Sequence, residues 1–286
     1  MYGGRKGSKL QMPVKCFAAA AAVVAAAGLV PQAGADVLFD NGPIVTNPTG
    51  GTGPIEGQPI SNADGFPWGP GLIASTAGVG AFVPEGTSAA DDFVVPAGGW
   101  NLDALTVYAY QNGQTTATVS RITVNLWTST PGEGGTPVLA SPLVLDAGEG
   151  VFVAHRQGPS GTDTVRPVFA YTVDLDGLPE AGRLDEGTYW IEFSFDSDAA
   201  PGSRAYTPLV SPREEAFNHN AHLYNVPFAG SPLMWFEGRE GYQSEQEPGR
   251  AYALPFQLTG TAIPEPASLG LVAAGGLLMR RRRAVR

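Results

Sequence analysis

The side chains able to do chemistry in this sequence are paired acids, two neighbouring histidines and tryptophans. His219 and His222 stand three apart, with Glu214 and Glu215 just upstream, and imidazole beside carboxylate is a ligand set that zinc or nickel accepts. The HExxH pattern needs its histidines four apart on one helix face, so this stretch reads as a polar loop. Asp91/Asp92, Asp174/Asp176 and Asp196/Asp198 are carboxylate pairs of the kind that supply oxygens to Ca²⁺. No twelve-residue EF-hand pattern surrounds them. Asp196 and Asp198, in a loop closing at Gly202, are the best-placed pair for a structural calcium, against the default reading of solvated turn residues.

Glu192 alternates with apolar neighbours, and facing a second carboxylate it would suit glycoside hydrolysis. Its expected place is the exposed face of a strand. Trp68, Trp100, Trp127, Trp190 and Trp235 are able to stack on sugar rings, although burial in a core is the commoner use of tryptophan. No serine nucleophile elbow, phosphate loop or dinucleotide fingerprint occurs. The only cysteine, Cys16, lies in the amino-terminal segment, so the body has no thiol for a disulfide, a nucleophile or a zinc–cysteine cluster. No cofactor is expected beyond the calcium candidate.

Charge is laid out in blocks. Between Asp36 and Pro264 there are eight Arg, no Lys and 26 acidic residues, so the body is far more acidic than the net charge of −10 for all 286 residues. Nucleic acid is excluded as a partner, because phosphate contacts need clustered Lys and Arg. The cations sit instead at the two ends.

Those ends read as targeting signals. Arg5 to Lys15 form a basic segment, an apolar run follows over 17–30, and Ala33, Gly34 and Ala35 supply the small residues that signal peptidase needs, with cleavage before Asp36. The apolar run is shorter than the roughly 20 residues of a spanning helix. Met12 is an alternative start, and Cys16 precedes the apolar run, which argues against a lipoprotein. At the other end Pro264, Glu265 and Pro266 precede an apolar stretch over 267–279 and then Arg280, Arg281, Arg282 and Arg283. As a helix, the 18 residues 262–279 would cover about 27 Å, close to a hydrocarbon core of about 30 Å, and the arginines would stay cytoplasmic as a stop.

This order of triplet, apolar helix and arginine cluster, in a chain that begins with an export signal, resembles the PEP-CTERM sorting segment. The resemblance implies an exosortase as partner, a membrane transpeptidase-like enzyme acting near Pro264, Glu265 and Pro266. It also implies an inner-membrane precursor held through 267–279, later passed to the cell surface or matrix, and an association with exopolysaccharide.

Between the ends, short runs of β-branched and aromatic residues recur between Gly, Pro and Asp turns, the pattern of an all-β protein. The spacing predicts strands over 92–95, 102–111, 121–128, 137–145, 151–155, 168–175, 188–195 and 252–259. The expected fold is an antiparallel, jelly-roll-like β-sandwich, with a signal-peptide helix before it and a membrane helix after it. The expected organisation is a signal peptide over 1–35, a Gly/Pro-rich segment over 36–88 packing on or leading into the core, a sandwich over 89–262 and the sorting segment over 263–286. Asp91 to Trp100, Gly187 to Trp190 and Leu254 to Gly260 also look like a β-sandwich domain of exported, surface-sorted bacterial proteins, a resemblance that brings no catalytic residues. The function expected from all this is non-catalytic: a surface or matrix protein in contact with polysaccharide. The rival is a carbohydrate-active hydrolase or a calcium-dependent glycan-binding module.

Overall fold

Strands dominate because the body alternates apolar and polar residues with period two and interrupts them with glycine, proline and aspartate. The computed structural model describes residues 35–61, 78–132, 134–156, 166–175, 183–198, 204–208, 210, 221–225, 234–237 and 253–264, all within one unit, Gly34–Arg286. The expected signal segment before Ala35, and Glu265, Pro266 and the arginine cluster with the apolar stretch before it, lie outside these residues. No helix among the described residues is long and apolar enough to cross a membrane.

Among the described residues, fourteen strands form two antiparallel sheets. They are β1 (Asp36–Asp40), β2 (Gly78–Gly80), β3 (Ser88–Val95), β4 (Trp100–Tyr110), β5 (Val119–Trp127), β6 (Leu143–Asp146) and β7 (Val151–His155). Then follow β8 (Pro167–Asp174), β9 (Arg183–Leu184), β10 (Gly187–Ser197), β11 (Tyr206–Pro208), β12 (His222–Asn225), β13 (Met234–Glu237) and β14 (Phe256–Ala262). One sheet runs β13-β12-β3-β10-β5-β6. The other runs β1-β14-β4-β11-β2, with β8 and β9 also on β4 and β7 on β8.

The core lies between the sheets. One side contributes Phe93, Ile122, Val124, Leu126, Ile191, Phe193 and Phe195, the other Leu102, Leu105, Val107, Tyr171, Phe256 and Leu258, all in one buried cluster. β4 keeps an apolar inner face along its whole length through a bulge: Thr259 pairs with Ala104 but Gly260 pairs with Leu102. That skipped residue lets even-numbered Trp100 and Leu102 and odd-numbered Leu105, Val107 and Ala109 all point inward. Phe93 is the aromatic hub, with ring centroids 5.9 Å from Phe39, 6.1 Å from Trp100 and 6.2 Å from Phe256. Truncating it to Ala would cost on the order of 3–5 kcal/mol.

Most expected strands appear with shifted ends, and 151–155 coincides with β7. Two expectations need correction. The strand expected over 137–145 begins only at Leu143, because Pro142 interrupts pairing, and Pro137 makes one isolated bridge to Trp127. The strand expected over 252–259 starts after Pro255, at Phe256, and continues to Ala262.

One carboxylate ties β3 to the segment after β1 and the segment before β14. Asp91 of β3 points into the core and is 1 % exposed. Its Oδ2 accepts from Asn41 Nδ2 at 2.7 Å and from the Leu254 amide at 2.8 Å, and its Oδ1 accepts from the Asp92 amide at 3.0 Å. Asn41 Nδ2 also donates to the Leu254 carbonyl at 3.1 Å, and the Asn41 amide donates to Phe256. Burial raises the Asp91 pKa well above the ordinary carboxylate value, and nearby Asp92 adds to this, against the lowering by the Leu254, Asp92 and Asn41 donors.

A folded-state pKa above the unfolded one means that the native state holds the proton more tightly, so this group favours folding most near pH 4 and less as pH rises through the raised pKa. Urea unfolding of wild type and Asp91→Asn from pH 4 to 7 should show the wild-type advantage shrinking as pH rises. A constant difference would contradict the assignment. Asp91→Ala should cost about 3 kcal/mol, because it orphans buried N–H donors.

Candidate functional site

The outer face of the six-stranded sheet carries the polar groups that a half-buried strand would normally give to water. Cross-strand register arranges them in rows. Asp92, Trp190 and Trp127 form one row across β3, β10 and β5. His222, Ala90, Glu192 and Asn125 form the next, across β12, β3, β10 and β5. Beyond it, Tyr224 pairs with Ser88 and Ser194 pairs with Thr123. Ala90, between His222 and Glu192 in the second row, is fully buried.

Glu192 is the hub of this face. Its Oε1 accepts from Ser88 Oγ at 2.7 Å and its Oε2 accepts from Trp127 Nε1 at 2.9 Å. Sequence reasoning expects an exposed acid here; the structure gives a half-buried carboxylate with both oxygens engaged. The indole of Trp127, itself half-buried, is thereby fixed in orientation at the edge of the face. Trp190, 1 % exposed, packs edge-on against His222 with centroids 4.7 Å apart. Asp92 is 3 % exposed and engaged with a partner of its own, as are Trp190 and His222.

The other expected residues are scattered. Asp91 and Asp92, neighbours in sequence, leave β3 on opposite faces and share no site. Asp196 accepts from Arg121 Nη2 at 2.7 Å in an ion pair at the far end of β10, so a guanidinium already balances its charge. The Asp198 amide donates to the Thr118 carbonyl, which places Asp198 on the same rim. Among the described residues no three His, Cys, Asp or Glu side chains converge in a metal-holding group. His222 lies in β12; His219, Glu214, Glu215, Asp176 and Trp68 lie outside the described residues. Trp100 is in the core, stacked on Phe93. Ala35, Asp36 and Pro264 are exposed, where the sheet begins and ends.

Two features escape sequence reasoning. Asn41 before Gly42 looks like a turn residue, and nothing local signals its bond to Asp91. Arg156, fully buried after β7, donates from Nη1 to the Ser61 carbonyl at 3.1 Å and to Ser61 Oγ at 3.2 Å. Its pKa is pushed down to about 10 by burial, with nearby Tyr110 opposing and Arg166 adding to the shift, so it stays charged at neutral pH. The signal available was a cation directly after an apolar strand. The depression near Tyr110, lined also by Gln111, Thr118, Phe169 and Tyr171, leaves no space the size of a water molecule, so it is no ligand pocket.

The arrangement can present an oriented aromatic edge. Glu192→Ala should release Trp127, seen as a red shift and broadening of tryptophan emission, and cost about 1–3 kcal/mol by unpairing two donors. Glu192→Gln can still accept from the indole and donate to Ser88, and should leave emission and stability near wild type. Equal losses in both variants would contradict the positioning role. No protein-family model and no curated protein matches this chain.

Proposed function

We propose that the protein is an exported, envelope-sorted and non-catalytic surface or matrix protein that contacts exopolysaccharide. The body is then a jelly-roll-like β-sandwich, with a signal-peptide helix before it and a membrane helix over 267–279 after it. Signal peptidase acts before Asp36, and an exosortase acts on the precursor at Pro264, Glu265 and Pro266. The observation that carries the non-catalytic reading is the bonding of Glu192. Both of its oxygens accept hydrogen bonds from fixed donors, so its task is to hold Trp127. A catalytic carboxyl group needs an oxygen turned toward substrate.

A specific observation favours the hydrolase as a second reading. The register sets Asp92 diagonal to Glu192 on one face of β3 and β10, so two acids share that face, as a glycosidase acid pair would require. The near-complete burial of Asp92 weighs against it.

A glycan array on the purified exported protein, run beside a glycosidase screen, separates the readings. The expected result is binding without turnover, reduced at least tenfold by Trp127→Ala and retained in Glu192→Gln. Turnover abolished by Glu192→Gln or Asp92→Asn would establish the hydrolase instead.

A further inference from the structure

The start of β1 and the end of β14 lie at the same rim of the sheet. β1 pairs antiparallel with β14, and the register sets Asp36 opposite Gly260. The first residue of β1 therefore lies beside the last residues of β14. On its other edge β14 follows β4, with Gly260 opposite Leu102, Thr261 opposite Asn101 and Ala262 opposite Trp100. The pairing continues one step past the strand, where the Ile263 amide donates to the Gly99 carbonyl at 2.9 Å. Pro264 follows directly, exposed, with no linker between the sheet and the triplet.

This placement bears on proteolysis. A protease generally takes its substrate as an extended strand and bonds to one backbone edge, as in strand addition. From Gln257 to Gly260 both edges of β14 are taken, by β1 and by β4. The fit is also tight, because a side chain at Gly260 would collide with the Asn101 carbonyl and with Leu38. Beyond Gly260 only the β1 side opens, and the β4 side stays bonded through Ile263. Cutting within β14 thus requires unpairing a central strand, whereas cutting after Ile263 requires none.

We propose that the pairing of β1, β14 and β4 limits processing at both ends: β1 and β14 are closed to cleavage, and the tail is cut on the carboxyl side of Ile263. The inference rests on the reading above that the tail is processed, and it adds where. The partner it implies is a membrane-bound protease that reads the triplet at the membrane surface and makes little use of residues before Pro264. Its reaction breaks one peptide bond: the acyl carbon stays with the body and is taken up by water or by an acceptor amine, and the new amine leaves with the tail.

Two measurements test this. Intact-mass analysis of the exported protein should give an amino terminus at Asp36 and a carboxyl terminus at Ile263 or later. A terminus between Phe256 and Ala262 overturns the proposal and leaves the processing reading standing; a protein still ending at Arg286 overturns both. Subtilisin treatment of the detergent-solubilised full chain tests the rim without the host enzyme. Peptide ends should appear at or before Asp36 and at or after Pro264, with none between Val37 and Asn41 or between Phe256 and Ala262. Early cuts inside either stretch, while the mid-strand segments of β4 and β10 stay protected, would overturn it.

Discussion

A buried carboxylate is the constraint on which the two-sheet arrangement turns. A carboxyl group taken out of water costs several kcal/mol unless donors replace the lost hydration. Asp91 sits on the inner face of β3, so those donors must come from across the core. They come from Asn41, directly after β1, and from Leu254, two residues before β14. One acid on the six-stranded sheet therefore sets the depth and lateral position of the strand pair that closes the other sheet. Phe93 beside it fills the same interface with Phe39 and Phe256, so polar and apolar contacts specify the same docking.

The outer face follows from the same strand. Because Asp91 points inward, Asp92 points outward, and the pleat then carries Ala90 and Ser88 to the outer face as well. β10, paired with β3 over seven residues, brings Trp190, Glu192 and Ser194 alongside. Glu192 spends both oxygens on Ser88 and Trp127, which links β3, β10 and β5 on the face opposite the core. The middle of the sheet is thus held by apolar packing on one side and by a hydrogen-bonded carboxylate on the other.

The strands of the middle of the chain were legible because period-two patterning in 122–126 and 191–195 is a local signal. β1 was not, since Asp36–Asp40 is short, flanked by acids and set in Gly- and Pro-rich sequence; it is a strand because β14 pairs with it. β12 was hidden for the same reason: His222 and its neighbours have loop composition, and pairing with β3 extends them. Glu192 was picked out by its alternation, but its partners Ser88 and Trp127 lie 104 and 65 residues away, and spacing in sequence carries no trace of them. Asp91 pairs in the sequence with Asp92, but its partners in space are Asn41 and Leu254, which spacing in the chain does not reveal.

Since everything here depends on the Asp91 and Asn41 contact acting as one unit, a double-mutant cycle measures it most directly. Unfolding free energies of wild type, Asn41→Ala, Asp91→Ala and the double variant give the coupling between the two side chains. A coupling of about 1.5 kcal/mol or more, with the double variant little worse than Asp91→Ala alone, is the predicted result. Strict additivity of the two single losses would show that the carboxylate and the amide stabilise the fold independently, and would contradict the account.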